Sequence, residues 1–152
     1  MAETMTHREF TLTHVFDAPR EVVWKAWTEP EQLARWWGPE GISTPLATIE
    51  MDVRPGGRFR LTMVSDADGS EFPSEMEFRE VTRPERLVFG WSEQRGIGAG
   101  EVTVTFTDLG DKTELITFFA GYATDEMAAA AQAGWTGQLA KLRDLLAGKG
   151  SR

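Results

Sequence analysis

The chain has 152 residues, with 16 basic and 24 acidic side chains, a formal net charge of −8 and no cysteine. That length suits one domain with a full core, and the lack of cysteine excludes disulfides, a thiol nucleophile and Cys-based metal sites. The acidic balance gives no electrostatic case for binding nucleic acid or an anionic membrane surface.

No apolar run approaches the roughly 18 residues of a membrane span. The polar residues 1–6 do not read as a signal peptide. A soluble, cytoplasmic protein is therefore expected, with one domain over residues 8–148 and flexible termini at 1–7 and 149–152. Residues 10–16 place Phe10, Leu12 and Phe16 on one face of a first strand. Pro19 suits the first position of a helix capped by Asp17. Val22, Val23, Ala26 and Trp27 form its buried stripe. A second short helix opens at Pro30, carries Leu33 and ends at Trp36, Trp37 and the Gly38-Pro39 break.

Residues 46–53 read as a second strand, Pro55-Gly56-Gly57 as a turn and 58–64 as a third strand. Asp68-Gly69 signals a two-residue hairpin. Taken literally, it sets Phe59 opposite Phe78 and Leu61 opposite Met76, with Arg60–Glu77 and Thr62–Glu75 on the other face. A turn over 83–86 pairs Phe78 with Trp91 and Glu80 with Phe89. One at Gly110-Asp111 pairs Phe106 with Leu115 and Val104 with Thr117. A single concave face then collects Phe59, Leu61, Met63, Met76, Phe78, Phe89, Trp91, Val104, Phe106 and Leu115 on a seven-stranded antiparallel sheet. A long helix follows over 125–147, capped by Thr124 or Asp125 and closed by Gly148. Trp135, Leu139, Leu142 and Leu146 form its apolar stripe. Gly134 and Gly137 in its interior predict a packing notch against the sheet, or a bend.

This order resembles the helix-grip fold of the START-like, or SRPBCC, superfamily. Within it, the chain resembles proteins homologous to the C-terminal domain of the activator of the heat-shock-protein-90 ATPase. The resemblance rests on ordered segments spanning nearly the whole chain: Phe16-Asp17-Ala18-Pro19, Arg35-Trp36-Trp37-Gly38-Pro39, Asp52-Val53-Arg54-Pro55-Gly56-Gly57-Arg58-Phe59, Arg83-Pro84-Glu85-Arg86 and Gly134-Trp135-Thr136-Gly137-Gln138-Leu139. It departs at His14, where such proteins often carry arginine. It implies an α+β domain whose curved sheet grips the terminal helix, and a function such as lipid or hormone carriage, polyketide cyclisation or modulation of a chaperone. No separate N-terminal domain is read in this chain, so the two-domain activator mechanism is not carried over.

Among the residues themselves, His7 and His14 are the only histidines. There is no HExxH, histidine cluster or GxSxG elbow, so no metal, cofactor or catalytic nucleophile is assigned. His14 alternates with inward residues. Gly96-Ile97-Gly98-Ala99-Gly100 precedes a strand rather than opening a helix, and reads as a flexible loop suited to gating a cavity. Asp52 and Arg54 share a strand face and suit an ion-paired clasp. What remains is aromatic. Trp36, Trp37, Phe59, Met63, Phe78, Trp91 and Trp135 either fill the core or line a pocket for a small apolar or aromatic molecule. Glu80 and Thr117 are its polar candidates. An empty void of about 300 Å³ would cost about 7 kcal/mol, close to a typical domain's whole stability of roughly 5–15 kcal/mol. A ligand-binding protein is the first expectation. A chaperone-regulating module and a cyclase- or hydrolase-like enzyme using the Glu80 carboxylate are the alternatives, and a homodimer is compatible with each.

Overall fold

The computed structural model describes residues 5–93 and 98–147. Strand β1 (Thr6–Phe16) alternates exposed and shielded residues and turns Phe10, Leu12, His14 and Phe16 inward. It begins at Thr6, so Thr6 and His7, expected in a flexible terminus, belong to the sheet. Residues 149–152 lie outside the described residues. Helix α1 (Arg20–Thr28) follows. Asp17 does not cap it: Pro19 is the cap residue, and its carbonyl accepts from the N–H groups of Val22 and Val23 at 3.0 and 3.2 Å. The helix buries Val23, Trp24, Ala26 and Trp27, whereas Val22 is 42% exposed. Trp24 takes its place in the stripe, with its ring edge-on to Phe106 at 5.2 Å. Helix α2 (Pro30–Leu33) has proline at its start, as expected. Turns then carry the chain on, the N–H groups of Trp36 and Trp37 both donating to Leu33 O.

The sheet has eight strands rather than seven: β1, then β2 (Ile42–Ser43), β3 (Glu50–Met51), β4 (Arg58–Ser65), β5 (Glu71–Thr82), β6 (Arg86–Trp91), β7 (Gly100–Asp108) and β8 (Thr113–Ala123). Their order is β1-β8-β7-β6-β5-β4-β2, with β3 also on β4, and every pairing is antiparallel. The continuous strand expected at 46–53 is a 3₁₀ turn, Leu46–Thr48, followed by the two-residue β3. Thr48 explains the break. Its Oγ1 accepts the Thr62 N–H at 3.1 Å and donates to Pro45 O at 2.8 Å, so a side chain takes the place of a ladder bond.

Register follows the turns. Gly110-Asp111 closes β7 on β8 with Phe106 opposite Leu115 and Val104 opposite Thr117, as expected. Between β4 and β5 the pairing is two residues away from expectation: Phe59 faces Met76, Leu61 faces Ser74, Arg60 faces Glu75 and Thr62 faces Pro73. The loop contains four residues, 66–69, because Ser65 N donates to Ser70 O and Gly69 N, with φ +76°, donates to Ser65 O. An even shift keeps every side chain on its face, and Phe59 still stacks on Phe78 at 5.0 Å. An odd shift occurs between β5 and β6. Phe78 faces Phe89 and Glu80 faces Val88, leaving Arg79 as a bulge.

Helix α3 (Asp125–Leu146) runs unbroken for 22 residues, about 33 Å at 1.5 Å per residue. Thr124 caps it, its Oγ1 accepting the Met127 N–H at 3.1 Å. The expected closing residue, Gly148, lies outside the described residues. Leu139 and Leu142 are fully buried, and Trp135 and Leu146 pack beside them. All ten residues expected on the concave face belong to this core or pack against it. The result is the helix-grip architecture: a curved antiparallel sheet, short helices after β1 and a long C-terminal helix against β1 and β8.

Candidate functional site

The Gly38-Pro39 break fixes one half of α3. Gly38, at φ +104°, donates its N–H to Gln138 Oε1 at 2.9 Å. Lys141 Nζ donates to Gly38 O at 2.8 Å and Ile42 O at 3.1 Å. Burial lowers the Lys141 pKa, with Asp66 and Glu40 acting in the opposite direction. Pro39 fits against two helix positions without side chains: a Cβ on Gly137 would lie 3.4 Å from Pro39 Cβ, and one on Gly134 would lie 3.9 Å from Pro39 Cγ. The two glycines therefore face Pro39 rather than the sheet, at distances that a Cβ would turn into ordinary contact, and α3 runs unbroken through both.

Beyond this clasp, the space between α3 and the sheet is a cavity of about 480 Å³. Phe89, Trp91 and Phe119 form its sheet side, with Met63 and Met76 on β4 and β5. The helix side is Met127, Ala130, Ala131, Gly134, Trp135 and Gln138, and Trp37 and Pro39 close the clasped end. Trp135 lies flat on Trp27 at 5.9 Å and edge-on to Trp37 at 5.3 Å, so buried rings back the lining ring. Trp91 Nε1 donates to Gly98 O at 2.9 Å. Glu75 is the one carboxylate among the described lining residues, and none of them is His, Lys or Arg. Glu75 is exposed.

Four of the nominated residues meet at this cavity: Trp37, Met63, Trp91 and Trp135. The other five do not line it. Trp36 is fully buried, its Nε1 donating to Ala26 O at 2.9 Å. Phe59 and Phe78 are buried in the core as a stacked pair. Thr117 is wholly buried, and its Oγ1 has no hydrogen bond. Glu80 is turned outward by the Arg79 bulge, where its carboxylate accepts from Arg86 Nε at 3.0 Å and Thr82 Oγ1 at 3.1 Å. A cavity carboxylate at Glu80 is therefore ruled out, and the cyclase- or hydrolase-like reading loses its catalytic group.

Phe89 and Met76 were on the expected concave face but were not nominated. Phe119, Met127 and Gln138 were missed. The small-residue run at 128–131, one helical turn before Gly134, was the signal that α3 leaves room there. His14 faces inward with Nδ1 buried and unpaired, its pKa lowered by burial first and by Arg143 second. Asp52 and Arg54 form the expected pair at 2.7 Å, at an exposed site. Of the glycine-rich loop, Gly96 and Ile97 lie outside the described residues. Among the described residues, no cluster of His, Asp or Glu could hold a metal ion, and no helix is long and apolar enough to cross a membrane.

The family model described as Activator of Hsp90 ATPase homolog 1-like protein matches residues 17–147. No curated protein gave a match. Among solved structures, a protein from Chromobacterium violaceum is 26% identical with a TM-score of 0.82, over 91% of this chain and 96% of that one. The AHSA1 protein from Silicibacter pomeroyi is also 26% identical, with a TM-score of 0.80 over 92% and 98% of the two chains. A Staphylococcus aureus protein of unknown function shares the fold at 16% identity, with a TM-score of 0.77 over 97% and 98%.

Proposed function

The chain belongs to the Activator of Hsp90 ATPase homolog 1-like family, and from that premise we propose that it binds a small apolar or aromatic molecule between its sheet and α3. The observation that carries this reading is the cavity of about 480 Å³, within the ~300–1,000 Å³ range of small-molecule sites. Its lining supports it too: tryptophan, phenylalanine and methionine offer broad contact area, and methionine adapts to irregular shapes. The described lining residues include no paired acid and base and no activated nucleophile, so binding is better supported than turnover. The chaperone-regulating alternative rests on the family description alone.

The test fills the cavity. Ala131 lines it from α3 and is only partly shielded. Nile red, a neutral apolar dye, is expected to bind the protein saturably, and Ala131→Phe is expected to weaken that binding at least tenfold without lowering Tm. Equal dye binding by the two proteins would place the apolar site elsewhere and contradict the proposal.

A further inference from the structure

Gln138 lines the cavity with only 5% of its surface exposed. Its Oε1 accepts the Gly38 N–H at 2.9 Å. A backbone N–H can only donate, so the amide atom facing it must be the oxygen, and the flip of the side chain is fixed. The Nε2 hydrogens are left on the other side of the amide, and no described group accepts them. Nε2 is not among the buried polar atoms that lack a partner, so this unbonded donor is open to the cavity and available to whatever occupies it. The indole N–H groups of Trp37 and Trp135, which line the same cavity, have no hydrogen bond among the described residues either.

The cavity therefore presents donors in an apolar surround. It presents no positive counter-charge: neither Lys nor Arg is among its described lining residues, and the chain carries a net charge of −8. A buried anion would be poorly compensated there. Lys141, three residues beyond Gln138 on α3, donates instead to the carbonyls of Gly38 and Ile42.

Resting on the binding reading above, we infer that Gln138 selects the ligand: its Nε2 donates to a carbonyl-type oxygen on a neutral aromatic or apolar molecule. The Gly38 N–H holds the amide in the orientation that presents this donor. Gln138 is thus a specificity-determining residue, and the ligand class is a neutral aryl or alkyl ketone, ester, lactone or amide rather than a hydrocarbon or a carboxylate.

A matched pair of probes tests this on the full chain. Acetylnaphthalene and isopropenylnaphthalene, substituted at the same ring position, share size and shape and differ in C=O against C=CH₂. Calorimetry is expected to show the ketone binding about tenfold more tightly, the gain of roughly one buried hydrogen bond. Naphthoate is expected to bind more weakly than the ketone. In Gln138→Met, similar in volume, the ketone-to-hydrocarbon affinity ratio falls to about one. The Gln138 side-chain amide protons of the wild-type protein are expected to shift with the ketone and not with the hydrocarbon, a readout that needs no variant to fold. Equal affinities of the pair for the wild-type protein, or tighter binding of naphthoate, would overturn the inference while leaving the cavity as an apolar binding site. Binding of none of the three probes would overturn the binding reading and this inference together.

Discussion

At the residue scale, His14 makes the pH dependence of folding specific. Burial and Arg143 both disfavour its protonated form, so its pKa in the folded protein lies below the ordinary value of 6.5. Above the unfolded pKa the ring is neutral in both states, and stability is at its full value. As the pH falls through about 6.5, the unfolded chain takes up the proton first and binds more protons than the folded one. Stability then falls with pH until the folded pKa is passed. His14→Leu removes this contribution, so Tm measured at about pH 7.5 and about pH 5.5 is expected to differ less in the variant than in the wild-type protein. Equal pH slopes for the two proteins would contradict this. The inward face of His14 was legible from its alternation with Leu12 and Phe16. Its unpaired Nδ1 was not, because a pattern of faces does not reveal which hydrogen-bond partners are missing.

At the element scale, the glycines of α3 and of the turn before β4 make opposite predictions. At Gly134 a Cβ would meet nothing closer than 3.9 Å, so Gly134→Ala is expected to stabilise the protein by about 0.5–1 kcal/mol through helix propensity and unfolded-state entropy. At Gly57 a Cβ would lie 1.9 Å from Asp52 O. The same turn holds β5 through Phe78, whose N–H donates to Gly57 O at 2.9 Å. Gly57→Ala is expected to destabilise by on the order of 2–3 kcal/mol. Denaturant unfolding of both variants checks the pair, and a common sign would contradict it.

The elements show how far local pattern reaches. Gly110-Asp111 specified its hairpin register because two residues suffice to close it. Asp68-Gly69 marked the right turn but the wrong loop length, because Asp68 Oδ1 accepts the Ser70 N–H and Ser65 Oγ the Ala67 N–H, which builds a wider loop. The Arg79 bulge had a trace in the sequence: Phe78 and Val81 are apolar and three apart, with two charged residues between them. Gly90 leaves space for the Arg79 guanidinium, which lies where a Cβ would be, within 2.5 Å. Strict alternation carried past that point placed Glu80 on the wrong face.

At the scale of the molecule, the core and the cavity are built from one set of aromatic rings, and sequence could not sort them. Phe59, Phe78 and Trp36 fill volume, whereas Trp37, Trp91 and Trp135 border empty space. The division depends on where Pro39 seats α3, a contact between residues about a hundred positions apart in the chain (Gly38 and Gln138 have a separation of 100). A sealed, dry void of about 480 Å³ would cost about 12 kcal/mol, comparable to the roughly 5–15 kcal/mol that holds a domain together. A space of this size is therefore sustained by water at an open mouth or by an occupant.

The six tryptophans report directly on that space. Their indole N–H resonances, followed while acetylnaphthalene is added, are expected to divide: Trp37, Trp91 and Trp135 shift and saturate together, while Trp24 and Trp36, buried in the core and not lining the cavity, shift far less. Uniform drift of all six without saturation, or saturable shifts at Trp24 and Trp36 alone, would contradict a ligand site between sheet and helix.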